Sequence, residues 1–338
     1  PMTFAQKSLI NSLSYRFSKL NGLKLNNVNL KEKTLYIDLS KELLNLKGTA
    51  QVDIIISSIC FTAREIDKAL KYLKISIDGK EYFYVNPLAD RGSHRRQRWF
   101  ACACCPPNIA RTITSIPGYM YSVSSEGIWV HLYASNVSEF SINGSKIVIE
   151  ERTDYPWNGL VEFKISGNAR FKLFLRRPGW NKEFSLSING EKPQMTLERG
   201  YIVIDREWKD GDIVRLEFHM KPEFLESHPK IKDNVGRLAI RRGPIIYCVE
   251  GADNPWGDVW DLEIPEDTEL KEEYRDILGG IVVVKGKGYL NDPKDWKKLY
   301  LTPEEANSLR KEVEFVAIPY YAWANRMPGP MEVWIKRI

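Results

Sequence analysis

The stretch Ser141-Ile142-Asn143-Gly144-Ser145-Lys146-Ile147-Val148-Ile149-Glu150 decides the fold class. Asn-Gly is the pair that best accepts the positive φ angles of a two-residue hairpin turn. It stands here between runs in which β-branched residues alternate with polar ones, so the reading is a β-hairpin. The same signal returns at Asn189-Gly190. Residues 159–165, 170–175, 184–188 and 201–204 are further short runs with turn residues between them. Short strands at that spacing predict an antiparallel sandwich.

Working outward, a second β-rich block covers about 236–284, and 222–232 reads as the linker before it. Residues 253–274 are acidic and contain Trp256 and Trp260, the composition of a long surface excursion. The closing run 313–338 alternates again and is expected to return to the first sandwich. Upstream, Leu9, Ile10, Leu13, Phe17 and Leu20 recur at helical spacing before Asn21-Gly22. Residues 35–39 and 52–56 read as strands. Thr62 caps an expected helix carrying Ile66, Ala69, Leu70 and Leu73. Ile75-Ser76-Ile77, Asp78-Gly79 and Tyr82-Phe83-Tyr84 read as a hairpin. Residues 91–98 form a polar, basic loop holding His94. Pro106-Pro107 then opens a helix whose apolar face is Ile109, Ile113 and Ile116, stopped by Pro117-Gly118.

At 338 residues the chain fits two or three domains. Its 49 Lys+Arg against 44 Asp+Glu leave +5, too little for a strongly basic nucleic-acid binder or an acidic tail protein. A 43% hydrophobic and 28% charged composition is globular. No run reaches the ~18–20 apolar residues of a membrane span. The start, Pro1-Met2-Thr3-Phe4, lacks a leader pattern and reads as a processed or truncated end. A cytoplasmic location is expected.

Five cysteines in so long a chain do not make a disulfide scaffold, and three of them fall in Cys102-Ala103-Cys104-Cys105. Thiolate is both a soft zinc ligand and a strong nucleophile. Three readings stay open on spacing alone: buried core thiols, a structural zinc knuckle, or catalysis. His131, His219 and His228 lack metal-like companions. Cys60 and Cys248 read as core thiols. Arg111, just inside the helix after the run, reads as an ion-pairing residue that has the reach to orient a sugar hydroxyl.

The run Trp99-Phe100-Ala101-Cys102-Ala103-Cys104-Cys105-Pro106-Pro107-Asn108-Ile109-Ala110-Arg111 resembles the signature of glycoside hydrolase family 127, the β-L-arabinofuranosidase family. Four other stretches agree in order: SIDGKEYFYVNP at 76–87, FLRRPGW at 174–180, RGPIIYCVE at 242–250 and AIPYYAWANR at 317–326. The resemblance runs from about residue 75 to the C-terminus. It implies an (α/α)6 barrel followed by β-sandwiches, and cleavage of terminal β-L-arabinofuranosyl residues with retention. It implies a zinc-bound cysteine nucleophile matching Cys104, with Cys105 as a further zinc ligand. Tyr72 lies near a family site tyrosine, and His94 lies close to the cysteine run. Both are candidate substrate-binding residues.

The sequence departs from the family upstream. The family's Glu-x-Cys metal motif has no counterpart before Cys102, and the acid/base glutamate is not identifiable. Residues 1–70 do not read as barrel helices. The expected architecture is mainly β with a smaller α part. Residues 1–122 would be a truncated or divergent barrel end. A first sandwich would cover 123–225, closed by 317–338, and a second 226–316. The expected function is a retaining glycoside hydrolase acting on an oligosaccharide or glycoside, incomplete in this chain. The alternatives are an inactive sandwich fragment that binds carbohydrate or a partner, and a structural-zinc module. Expected partners are a second copy or a barrel polypeptide, with no nucleic acid and no membrane.

Overall fold

The computed structural model describes residues 25–31, 34–39, 72–77, 85–97 and 105–338. The chain divides into two compact units, one of Pro1–Asn86 with Arg96–Tyr119 and one of Pro87–Arg95 with Met120–Ile338. The expected helices before residue 21 and after Thr62, the strand at 52–56 and the Asp78-Gly79 turn lie outside the described residues.

In the first unit, β1 (Leu25–Lys31), β2 (Thr34–Leu39) and β3 (Tyr72–Ile77) form one sheet. β1 and β2 are antiparallel, while β2 and β3 run parallel from Thr34↔Tyr72 to Leu39↔Ile77. Leu73, expected on a helical face, is in strand β3. Alternation in Tyr72–Ile77 with β-branched Ile75 and Ile77 explains that outcome. Helix α1 spans Cys105–Ser115 and continues as a 3-10 turn over Ile116–Tyr119. Two prolines fit its start, where backbone N–H groups have no helical partner, and Pro117 lacks the N–H that a further α turn needs. Ile109, Ile113 and Ile116 are all exposed.

The second unit begins with β4 (Ala89–Arg91) and then builds two sheets from residues 121–218. Strands β5 (Tyr121–Ser124), β6 (Gly127–Val130), β7 (Asn136–Ile142), β8 (Ser145–Thr153), β9 (Leu160–Ser166) and β10 (Ala169–Arg176) come first. They are followed by β11 (Phe184–Ile188), β12 (Thr196–Glu198), β13 (Tyr201–Trp208) and β14 (Ile213–Phe218). The sheet orders are β12-β13-β10-β6-β5 and β11-β14-β9-β8-β7. Alternate residues turn inward, so Ile128, Ile147, Phe163, Leu173, Trp208 and Leu216 share one core. Trp208 keeps its Nε1–H satisfied by donating to the Phe171 carbonyl at 3.0 Å.

Asn143-Gly144 forms the expected hairpin between β7 and β8, whereas Asn189-Gly190 turns the chain without joining paired strands. Asn143 and Gly144 have φ of 51° and 81°, and Asn189 and Gly190 have 53° and 87°. The second turn carries only one bridge, Ile188↔Glu191, before the chain crosses to the other sheet. One pair, β6–β10, is parallel. A Cβ on Gly127, at φ +153°, would stand 1.9 Å from the Lys172 carbonyl oxygen, so this pairing requires glycine.

The rest of the unit forms one ten-stranded sheet that includes β4. It contains β15 (Pro222–Glu226), β16 (Arg237–Arg242), β17 (Ile245–Glu250), β18 (Leu262–Ile264), β19 (Lys271–Arg275) and β20 (Ile281–Leu290). After helix α2 (Pro303–Leu309) come β21 (Lys311–Pro319), β22 (Pro330–Glu332) and β23 (Ile335–Arg337). The order is β15-β16-β23-β18-β20-β21-β17-β22-β4, with β19 on β20. An added β16–β17 pairing closes β16, β23, β18, β20, β21 and β17 into a ring around Tyr247, Leu262, Val284, Phe315 and Ile335. The second sandwich expected from the sequence is thus a closed barrel.

Residues 317–338 do not close the first sandwich: β21, β22 and β23 pair with β20, β17, β16, β18 and β4. The expected linker at 222–232 contains β15, which pairs with β16 over five residues. Residues 253–274 are not a surface excursion, since Asn254, Val259, Leu262, Glu263 and Ile264 are buried and β18 lies within the ring. The acidic groups that suggested exposure are paired instead. Asp253 and Glu250 accept from Arg326, and Glu263 accepts from Arg310 at 2.6 Å and from Lys336.

Candidate active site

Of the cysteine run, the described residues include Cys105 alone, as the first residue of α1. Cys102, Cys104 and Cys60 lie outside them. Asn108 and Arg111 on that helix bond to each other, Nη2 to Oδ1 at 2.6 Å. Among the described residues Arg111 therefore has a neutral partner and not the expected ion pair. The backbone of Tyr72 is in β3, opposite Thr34.

His94 belongs to a short built loop. β4 pairs antiparallel with β22, and Asp90 stands opposite Met331. The Asp90 carboxylate is buried and accepts from the Gly92 N–H at 2.6 Å, from Ser93 Oγ at 3.2 Å and from the His94 ring. Burial pushes this carboxyl up, but the hydrogen bonds from His94, Gly92 and Ser93 outweigh it and hold it below its ordinary value. His94 is thereby tied to Asp90. Arg91 lies 3.8 Å over the Trp260 ring and pairs with Asp258 at 2.6 Å. Trp260 Nε1 donates to the Asp90 and Met331 carbonyls, both at 3.2 Å. On β22, buried Glu332 pairs with Arg237. Burial raises its carboxyl to about 7 against the pull of Arg237.

Among the described residues no cluster of three or more His, Cys, Asp or Glu is placed to hold a metal. His131 bonds to Ser122 Oγ and Tyr201 Oη, at 2.7 and 2.8 Å. His219 faces Glu183, and the His228 ring accepts from the Lys230 N–H. Cys248 is a buried core thiol on β17, as expected. Sequence reading missed Asp90, Arg91, Trp260 and Glu332. Only Asp90-Arg91-Gly92 carried a local signal, that of an Asx turn.

Residues 72–118 match the family model "Beta-L-arabinofuranosidase, GH127 catalytic domain". Residues 127–220 match its middle domain, and 222–336 match "Glycoside hydrolase family 127 C-terminal domain". The chain belongs to glycoside hydrolase family 127. A curated relative, the non-reducing end β-L-arabinofuranosidase of Bifidobacterium longum subsp. longum, is 33% identical over 288 residues, covering 78% of this chain and 43% of that protein. The structure of a GH127 β-L-arabinofuranosidase from Geobacillus stearothermophilus superposes with a TM-score of 0.70 at 34% identity, covering 85% of this chain and 48% of that one. A second GH127 β-arabinofuranosidase gives 0.69 at 33%, covering 86% and 49%. This family 127 chain therefore spans about half the length of the relatives it matches. Residues 5–83 also match a model described as "Sporulation and spore germination", overlapping the catalytic-domain match at 72–83. No helix among the described residues is long and apolar enough to cross a membrane.

Proposed function

We propose that this chain carries the cysteine-bearing half of a retaining glycoside hydrolase that releases terminal β-L-arabinofuranosyl residues. The observation that carries the reading is Cys102-x-Cys104-Cys105-Pro106-Pro107 inside the stretch matched by the family's catalytic domain. The sugar is the one on which the related β-L-arabinofuranosidases act.

Cys104 is the nucleophile. Its Sγ attacks the anomeric carbon and forms a C–S bond as the bond to the leaving oxygen breaks. A carboxylic acid gives that oxygen its proton. The resulting carboxylate then takes a proton from water, which attacks the same carbon and releases the thiolate. Cys104 and Cys105 would together hold zinc, because thiolate sulfur is the soft donor that zinc prefers. When bound, zinc keeps a thiol ionised at neutral pH. Tyr72 and His94 contribute to sugar binding, His94 in the orientation that Asp90 sets.

A barrel polypeptide or a second copy of this chain would complete the site with the acid/base and the remaining ligands. Ile109 and Ile113 on α1, with Ile116 on the 3-10 turn after it, support this, since they are exposed among the described residues and form an apolar stripe. The match at 5–83 to a different family supports a separate module ahead of the hydrolase portion. A reducing compartment keeps the thiols free.

An aryl glycoside with a good leaving group tests the reading, because glycosylation of Cys104 then needs no acid. Incubation with 4-nitrophenyl β-L-arabinofuranoside should leave a pentosyl adduct on the peptide containing Cys104. Elemental analysis should find zinc that Cys104→Ser loses. A chain with neither zinc nor adduct refutes the proposal.

A further inference from the structure

The second unit contains a groove whose lining residues the proposed hydrolysis does not use. One part is a cavity of about 210 Å³ lined by Trp180, Glu183, His219, Lys221 and Glu223. Through Lys182 and Glu183 it continues into a cavity of about 580 Å³ lined by Arg177, Phe184, Ser185, Ser187 and Lys192. The larger part lies within the range of ~300–1,000 Å³ that small-molecule sites occupy. All of these residues belong to the second unit.

The walls are fixed by contacts within that unit. Half-buried Trp180 donates to Tyr155 and meets Phe218 edge-on, with 5.8 Å between ring centres. Glu223 accepts from Lys182 at 2.6 Å and from Arg241 at 2.7 Å. Arg177 Nη2 donates to the Asn181 and Lys182 carbonyls, both at 3.0 Å, and its guanidinium lies 5.6 Å from the Phe184 ring centre. Walls held in this way spare a ligand the cost of ordering them.

The charge is one-sided. Glu223 is committed to Lys182 and Arg241, and Glu183 faces His219 at 3.7 Å. Among the described residues Arg177, Lys192 and Lys221 have no carboxylate partner. Unpaired cations around a concave surface favour an anion. Trp180 offers an apolar face for ring C–H groups, while Ser185, Ser187, His219 and Glu183 offer donors and acceptors for hydroxyls. An acidic peptide fits the charge but not the backbone. β11 is the terminal strand of its sheet, and Ile188 already spends its outward N–H and C=O on Glu191, at 2.8 and 3.0 Å. By antiparallel alternation only Phe184 and Leu186 keep open outward groups, a short edge against the about 5–6 residues of a usual strand.

We propose that this groove binds a carboxylate-bearing saccharide, with Trp180 under a sugar ring and Arg177, Lys192 and Lys221 facing its carboxylates. Its use to the hydrolase, holding an acidic polymer while arabinofuranosyl ends are released, rests on the proposed function above. The binding itself does not.

Calorimetric titration of the full chain tests it, with tetragalacturonate as the probe and its methyl ester as the uncharged control. The acid should bind with a Kd below about 1 mM and the ester about tenfold more weakly. Lys192→Gln and Lys221→Gln should each weaken the acid about threefold, the worth of one exposed ion pair, and together about tenfold. Trp180→Ala should weaken acid and ester alike, by about tenfold. Lys287→Ala, outside the groove, should bind as the parent does. No binding of the acid, equal binding of acid and ester, or an unchanged Kd in the Lys192/Lys221 double variant each overturns the proposal. A glutamate oligomer of equal charge that binds as tightly as the tetramer overturns the saccharide reading in favour of an acidic peptide. Should Trp180→Ala fail to fold, the double variant decides, since both lysines are exposed. Absence of the pentosyl adduct with the acid still bound removes the hydrolase reading and leaves this site, and the adduct without binding does the reverse.

Discussion

Glu151 offers the sharpest test of the energetics. It is buried at 1% exposure inside the first sandwich. Tyr121 Oη donates to its Oε2 at 2.6 Å, Asn136 Nδ2 donates to the same oxygen at 3.1 Å, and the Ala134 N–H donates to Oε1 at 3.0 Å. Burial pushes its carboxyl from 4.5 to about 7, and the three donors only partly oppose this. The folded pKa is therefore raised, so folding takes up a proton. The stabilisation is fully present below pH 4.5 and is lost as pH rises through 7. At 1.36 kcal/mol per tenfold, the shift is worth about 3 kcal/mol. That is on the order of 10 °C in melting temperature for a domain of this size.

Glu332 is raised to about 7 by the same cause and adds a loss of the same sign. His131 is held below its ordinary value by burial and Arg176, and it works the other way. Comparison of Glu151→Gln with the parent isolates Glu151. Thermal melts from pH 5 to 8 should show the variant less stable than the parent at pH 5, with the gap closing by pH 8. A gap that is constant across that range, or that widens with pH, would refute the reasoning.

Trp208→Ala removes a fully buried ring and strands the Phe171 carbonyl, so urea unfolding of the first sandwich should lose about 3–5 kcal/mol. Gly127→Ala drives a Cβ into the Lys172 carbonyl and should break the parallel β6–β10 pairing, read as lost amide protection at 128–130. Arg326→Met leaves Glu250 and Asp253 buried without their cation, and the barrel should lose about 3–5 kcal/mol in the same urea experiment. Lys287→Ala should change stability by less than about 1 kcal/mol, because its pair with Glu312 is exposed.

The local features were legible in the sequence because their causes are local. Asn143-Gly144 and Asn189-Gly190 turn as residue chemistry requires, and strands between 141 and 204 follow from period-two alternation. The cysteine run and four collinear stretches pointed to the family that the comparisons then showed. The readings of 253–274 and 317–338 failed because each needed a distant partner. Residues 253–274 looked exposed because they are acidic, yet Asp253 meets Arg326 and Glu263 meets Arg310 and Lys336 across long stretches of chain. Residues 317–338 alternate like any strand, and alternation does not say which sheet they join. Trp260 looked like a surface residue until β4 arrived from 170 positions away to lie beneath its indole. Turn type and strand period depend on neighbours in sequence, so the sequence by itself determined them. Pairing order, barrel closure and the docking of Pro87–Arg95 depend on contacts between residues far apart in sequence, so only the tertiary structure decided them.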